Sequence, residues 1–289
     1  MAEKLAFSFN CNDASLLAGN IMLATDNGIF AYSLKKSSLK KILPEKLNRK
    51  VDHIITDAFN HLWFSSMFGG AFMIDSADNI EEKITAPAIY SLATTPDKNV
   101  WVGTNIGLYK ISLSRTEINR YEEEGIEGYE IPDNLVEKLF ADENSNIWAL
   151  LDGVTVFIPN KKTENVPSYN YMGDKENHII AISEIPASSE SYLFATARGI
   201  MYTADLNGYK NINAGEIHQA YHETAYLLPE NIFEKPLSLK NDTVINITNV
   251  NGSTWFITEN GLWKMKTKKL IKKLKKAFPG NIHDLPVNK

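Results

Sequence analysis

The 289-residue chain is 44% hydrophobic and 10% aromatic, a balance that supports a sizeable core and excludes a disordered chain. Its net charge of −5, from 35 acidic and 30 basic residues, leaves no whole-chain footprint of a nucleic-acid binder. Its single cysteine, Cys11, excludes an internal disulfide, a cysteine-rich zinc site and a paired-cysteine redox motif.

In chain order, "LAFSFN" at 5–10 reads as an apolar strand, and "IMLATDNGIFAY" at 21–32 reads as strand, turn and strand, followed by the more polar "SSLKKIL". The same order returns in "VDHIITDAFN", "HLWFSSMFGGAFMI" and "NIEEKIT", then in "IYSLATTPDK", "NVWVGTNIGLYKI" and "EINRY". Further copies are "LVEKLFADEN" with "NIWALLDGVTVF", "HIIAISEI" with "YLFATARGIMY", and "TVINITNVN" with "STWFITENGLWKM".

One interval ties these segments together. Trp63 precedes Gly69, Trp101 precedes Gly107 and Trp255 precedes Gly261 by six residues, as Met22 precedes Gly28 and Leu193 precedes Gly199. Trp148 and Gly153 form a version one residue shorter, which makes six readable copies. The turns "TDNG", "TNIG" and "TENG" suit hairpins, so each copy predicts four antiparallel strands, apolar first and polar last. Such a unit cannot bury both faces alone, whereas successive units can cover one another, and the predicted fold is all-β, a β-propeller. Equivalent positions predict that Trp63, Trp101, Trp148 and Trp255 are each buried between blades.

The stretches "IPDNLVEKLFADENSNIWAL" at 131–150 and "VWVGTNIGLYKI" at 100–111 resemble the two-component regulator propeller repeats of bacterial hybrid histidine kinases. The resemblance implies a ligand-sensing or protein-binding propeller. It says little about activity, because the repeated residues are structural. The six anchors are separated by 41, 38, 47, 45 and 62 residues. A period near 41 and the usual seven blades of that family favour seven blades over six, with 215–241 a degenerate blade or an insertion. Residues 1–289 are expected to form one domain, with 279–289 as a tail.

Residues that could carry chemistry are few. His218 and His222 are four apart, with Glu216 and Glu223 near, but there is no HExxH motif and no metal site or cofactor is expected. His53, His61, His178 and His283 are scattered, and surface or inter-blade hydrogen bonding accounts for them. No nucleophile elbow, phosphate loop or dinucleotide fingerprint occurs. Cys11 is expected to be a structural, partly buried thiol. Asp57, Asp97 and Asp142 follow the first strand of three copies and are expected to be turn-forming acceptors. The run "KMKTKKLIKKLKKAF" at 264–278 places eight lysines on an acidic chain. It suits a solvated edge or short terminal helix, and 264–276 is a minor candidate for an acidic partner.

The expected function is a non-catalytic binding or sensor module for a protein or small-molecule partner, not a nucleic acid. The alternative is a propeller enzyme of lyase or glycan-active hydrolase type, since "STWFITENG" also resembles the streptogramin lyase repeat. The expected partner surface is the face of the hairpin turns, with Asp26, Met67, Phe68, Asn105, Asp152, Arg198 and Glu259. No apolar run reaches membrane-spanning length and the start of the chain lacks the form of a signal peptide. The expected compartment is the cytoplasm, or the periplasm if the chain is an excised sensor region.

Overall fold

Alternating apolar and polar residues, punctuated every few positions by turn residues, give this chain strands rather than helices. The computed structural model describes residues 9–66, 69–126, 129–151, 154–160, 168–170, 179–186, 191–196, 199–203, 226–227 and 242–277. Their strands form six antiparallel sheets of three or four strands, with strand order following the chain. The chain divides into two compact units, 1–141 and 142–289.

The first unit holds three four-stranded sheets. These are β1 (Cys11–Leu17), β2 (Asn20–Thr25), β3 (Gly28–Ser33) and β4 (Ser38–Ile42); β5 (His53–Thr56), β6 (Leu62–Ser66), β7 (Gly70–Ile74) and β8 (Ile80–Ile84); and β9 (Ile89–Thr94), β10 (Val100–Thr104), β11 (Gly107–Ile111) and β12 (Ile118–Tyr121). β13 (Lys138–Ala141) ends the unit against β9. Successive sheets share cores, because the inner strands such as β7 and β10 are buried on both faces. Met22, Ala24 and Ile29 of the first sheet pack with Leu62, Phe64, Phe72 and Ile74 of the second. On its other face the second sheet sets Trp63 and Met73 against Ile89, Val100, Val102 and Ile111 of the third.

The second unit continues the pattern with β14 (Ile147–Leu151), β15 (Val154–Ile158) and β16 (Ser168–Asn170), then β17 (Ile179–Glu184), β18 (Tyr192–Thr196), β19 (Gly199–Thr203) and β20 (Tyr226–Leu227). A three-stranded sheet of β21 (Val244–Val250), β22 (Ser253–Thr258) and β23 (Leu262–Lys266) follows, then helix α1 (Thr267–Ala277). Trp148 lies 5.1 Å from Tyr192 and 5.4 Å from Phe194, ring to ring, joining β14 to β18.

Two details, the strand β1 and the exposure of Cys11, depart from the sequence reading. β1 is a polar strand, exposed at Cys11, Asn12, Ala14 and Leu16, and is set by its register on β2 through the tight Ala18-Gly19 turn, where both φ values are positive. Only Leu16 and Leu17 in it are large and apolar, so hydrophobic pattern gave no signal. Cys11 is exposed rather than partly buried, because it opens that strand. Tyr226 and Leu227, within 215–241, pair with β19 as the outer strand of the fifth sheet. In the last copy the short terminal helix that the lysine run suits, rather than an outer strand, follows β23: lysine and leucine favour helix, and Leu270 and Leu274 at i, i+4 give it a buried side.

Trp63, Trp101 and Trp148 are 0%, 2% and 0% exposed, but Trp255 is only half-buried. Its cross-strand neighbours are Thr248 and Lys264, and the Lys264 ammonium caps the ring at 4.7 Å. A lysine cap leaves more water at the ring than an apolar sheet does. Trp148→Ala should therefore cost about 3 to 5 kcal/mol, while Trp255→Ala should cost about 1 to 2 kcal/mol. Urea midpoints of the two variants measure the difference, and equal losses would contradict it.

Candidate partner-binding face

Four of the hairpins that should carry the face are held by a threonine three residues before the turn glycine. Thr25, Thr104, Thr196 and Thr258 close the second strands, and each Oγ1 donates to the carbonyl of Gly28, Gly107, Gly199 or Gly261, at 2.7, 2.7, 2.9 and 3.0 Å. The same hydroxyls accept from the N–H of Asn27, Ile106 and Gly261. The staple is written in the sequence as Thr-x-x-Gly four times, beside the Asn and Asp residues that mark the turns. Glycine is required at 28 and 107, where φ is 100° and 124° and a Cβ would stand 2.2 Å from the Leu47 oxygen and 2.5 Å from the Tyr121 oxygen.

In the 1–141 unit these turns meet the connections between sheets. Val51 N–H donates to the Thr25 carbonyl and Val136 N–H to the Thr104 carbonyl, both at 2.9 Å. The two kinds of loop thus share one edge, as antiparallel sheets in series dictate.

Asp26, half-buried, accepts from the Asn10 amide at 2.8 Å and the Asn12 amide at 3.2 Å, and Asn12 also reaches the Val51 carbonyl at 2.8 Å. Lys50 and Asp52 pair at 2.8 Å in the adjoining connection. Burial pushes the neighbouring His53 below the ordinary imidazole range, outweighing the pull of Asp13 and Asp52. Asn105 serves a backbone role: its side chain accepts from Ala88 N–H at 3.1 Å and its own N–H donates to the Ala88 carbonyl. In the second unit Glu259 is exposed, beside Asp242, which accepts from Thr258 and Asn260. Met67, Phe68, Asp152 and Arg198 lie outside the described residues, as do His178, His218, His222, His283, Glu216 and Glu223.

The strand 1–2 turns hold the recurring carboxylates. Asp57 Oδ1 accepts from the N–H of Phe59 and His61, the expected turn bonds. Its Oδ2 does more, accepting from Trp63 Nε1 at 2.9 Å and Arg115 Nη2 at 2.8 Å, with His61 Nδ1 at 3.1 Å. Arg115, on the β11–β12 turn of the next sheet, also donates to the carbonyls of Lys98 and Ser112. The pair is buried, at 1% and 8% side-chain exposure, and clasps two sheets together. Sequence reasoning missed Arg115, which sits in a polar turn with no motif around it. Asp142 repeats the turn bonds, to the N–H of Asn144 and Asn146, and takes the Tyr192 hydroxyl at 2.5 Å from the neighbouring sheet. Asp97 is not the third member. Thr95 occupies the position six before Trp101, and Asp97 accepts instead from Thr95 Oγ1 and Asn99. The buried Trp101 Nε1 finds no acceptor among the described residues.

These carboxylates are fully engaged and offer no free acid and base. Cys11 is not an activated nucleophile either: desolvation and the Asp13 charge push its thiol up, and it donates to the Asp13 carbonyl at 3.5 Å.

No family model matches the chain, and no curated protein matches it. Among solved structures it is similar to YCF48 bound to D1 peptide, at 10% identity and a TM-score of 0.60, covering 91% of this chain and 80% of that one. It is likewise similar to catalytically inactive virginiamycin B lyase from Staphylococcus aureus with quinupristin, at 14% identity and a TM-score of 0.60, covering 92% and 88%. A third is the extracellular domain of a putative hybrid two-component system from B. thetaiotaomicron, at 18% identity and a TM-score of 0.56, covering 84% of this chain but 31% of that one. The fold is an all-β propeller.

Burial pushes the Asp57 carboxyl up, but its bonds from Trp63, His61 and Phe59 and the Arg115 charge outweigh that and hold it below the usual aspartate range. A depressed folded-state pKa contributes stability that is complete above the ordinary aspartate range and is lost as pH falls through the folded value. Asp57→Asn, which strands the Arg115 charge, should cost about 3 to 5 kcal/mol at neutral pH. It should also shrink the stability lost between neutral pH and about pH 3, read from urea unfolding at both. An unchanged acid loss would contradict the assignment.

Proposed function

We propose that this chain is a non-catalytic binding or sensing propeller whose hairpin-and-connection edge engages a protein or small-molecule partner. One observation carries the proposal. On that edge of the first unit the backbone is fixed by threonine staples and cross-loop bonds, while Asp26, Lys50 and Asp52 present both charges at the surface. A rigid scaffold with chemically mixed loops is what recognition requires, because little ordering entropy is lost on binding. The opposite edge of that unit, by contrast, uses Asp57 to join sheets.

The similarity to YCF48 bound to D1 peptide and to a two-component extracellular domain supports a binding or sensing role. The finer proposal is kinship with the two-component regulator propeller repeats, supported by the Trp and Gly spacing of each copy. The proposed compartment is the cytoplasm, supported by the single unpaired Cys11.

Peptides selected against the protein from a random display library supply the test. A selected peptide should slow hydrogen exchange at 25–28, 48–53 and 104–107, and Asp26→Ala with Lys50→Ala should weaken it about tenfold, or about 1.4 kcal/mol. Protection confined to the outer strands β4, β8 and β12, undisturbed by that double change, would overturn the proposal.

A further inference from the structure

Helix α1 carries lysines at 268, 269, 272, 273, 275 and 276 and no acidic residue. Leu270 and Leu274 are buried, at 0% and 3%, and the helix packs on β22 and β23. At about 100° per residue, Lys268, Lys269, Lys272, Lys275 and Lys276 fall within an arc of about 120° opposite those leucines. All five are exposed, as are Lys264 and Lys266 on β23. The stretch 264–276 contains eight of the 30 basic residues and no acid, so the remainder sets 22 basic against 35 acidic residues, a net charge of −13.

Local stability does not call for this arrangement. Lys268 and Lys269 stand in the first turn, where the helix dipole already places positive charge. Lys268 and Lys272 repel at i, i+4, and so do Lys272 and Lys276. A face serving solubility alone would mix signs. An anionic counterpart relieves all of these repulsions together.

The structure also narrows the kind of counterpart. The leucine side is already spent on the blade, so the helix cannot lay it into a bilayer. Lysines without arginine or aromatics on the arc give point charges, not the bidentate or stacked contacts of nucleic-acid recognition. A membrane or long polyanion would bring its charge towards the −13 of the remainder, whereas a short acidic segment can neutralise the helix alone. We propose that the lysine arc of α1 docks a short acidic peptide segment, a run of Asp and Glu, of a partner protein. This surface is separate from the hairpin edge, and its test does not depend on that reading.

The probe is a fluorescently labelled oligoglutamate of about ten residues, followed by anisotropy at about 50 and about 200 mM salt. The intact chain should bind it, more tightly at low salt. The variant carrying Lys268→Gln, Lys269→Gln, Lys272→Gln, Lys275→Gln and Lys276→Gln, whose helix propensity is nearly unchanged, should lose at least about tenfold in affinity with the same circular dichroism. Duplex DNA and phosphatidylserine vesicles should bind less well than the peptide. No binding by the intact chain, equal binding by the variant, or tighter binding of DNA or vesicles would overturn the proposal. Self-association in sedimentation that the variant abolishes would also overturn it, by assigning the face to a second copy.

Discussion

The structure depends on one constraint: a sheet with a large side chain on its second strand must have that side chain covered by the next sheet. Trp63 illustrates it, sitting among Ile89, Val100, Val102 and Ile111 of the following sheet with no exposure. Burying an aromatic of about 200 Å² contributes roughly 5 kcal/mol. Met22 does the same between the first two sheets with an aliphatic group, and Trp148 does it in the second unit against Tyr192 and Phe194. No sheet here is self-sufficient, so the repeat in the sequence is the record of a packing need.

Covering an indole also buries its N–H, and at Trp63 the turn carboxylate answers that. Asp57 takes the Trp63 N–H, and its own buried charge is then met by Arg115 from the next sheet. Asp142 does comparable work through Tyr192. Each group is there because the previous one would otherwise be buried without a partner, at a cost of several kcal/mol for a charge. In the third sheet Thr95 stands where Asp57 stands in the second, and the Trp101 N–H has no acceptor among the described residues.

The sheets were legible in the sequence because their signal is repeated: the strands β5, β9, β17 and β21 fall where the apolar lead-in segments lie, and β4, β8 and β12 where the polar ones do. What was not legible had either no hydrophobic pattern or no local partner. β1 is polar and exists through its register on β2. Arg115 gains its role from a carboxylate 58 residues away, a separation that pattern cannot bridge. Trp255 matches the other tryptophans in spacing yet differs in burial, because burial is decided by what lies opposite, here Lys264. Of the loop residues chosen from sequence, Asp26 and Glu259 are at the surface, while the Asn105 side chain is used to hold the Ala88 backbone.

Asp57, which takes the Trp63 N–H, joins its sheet to the next through Arg115. A double-mutant cycle between Asp57 and Arg115, using Asp57→Asn and Arg115→Met in urea unfolding, tests this most directly. A clasp between sheets predicts a coupling of about 1.5 to 3 kcal/mol, with the double variant more stable than the sum of the single losses implies. Strict additivity would contradict it, since the two residues would then be contributing independently and the buried contact between sheets would have no energetic meaning.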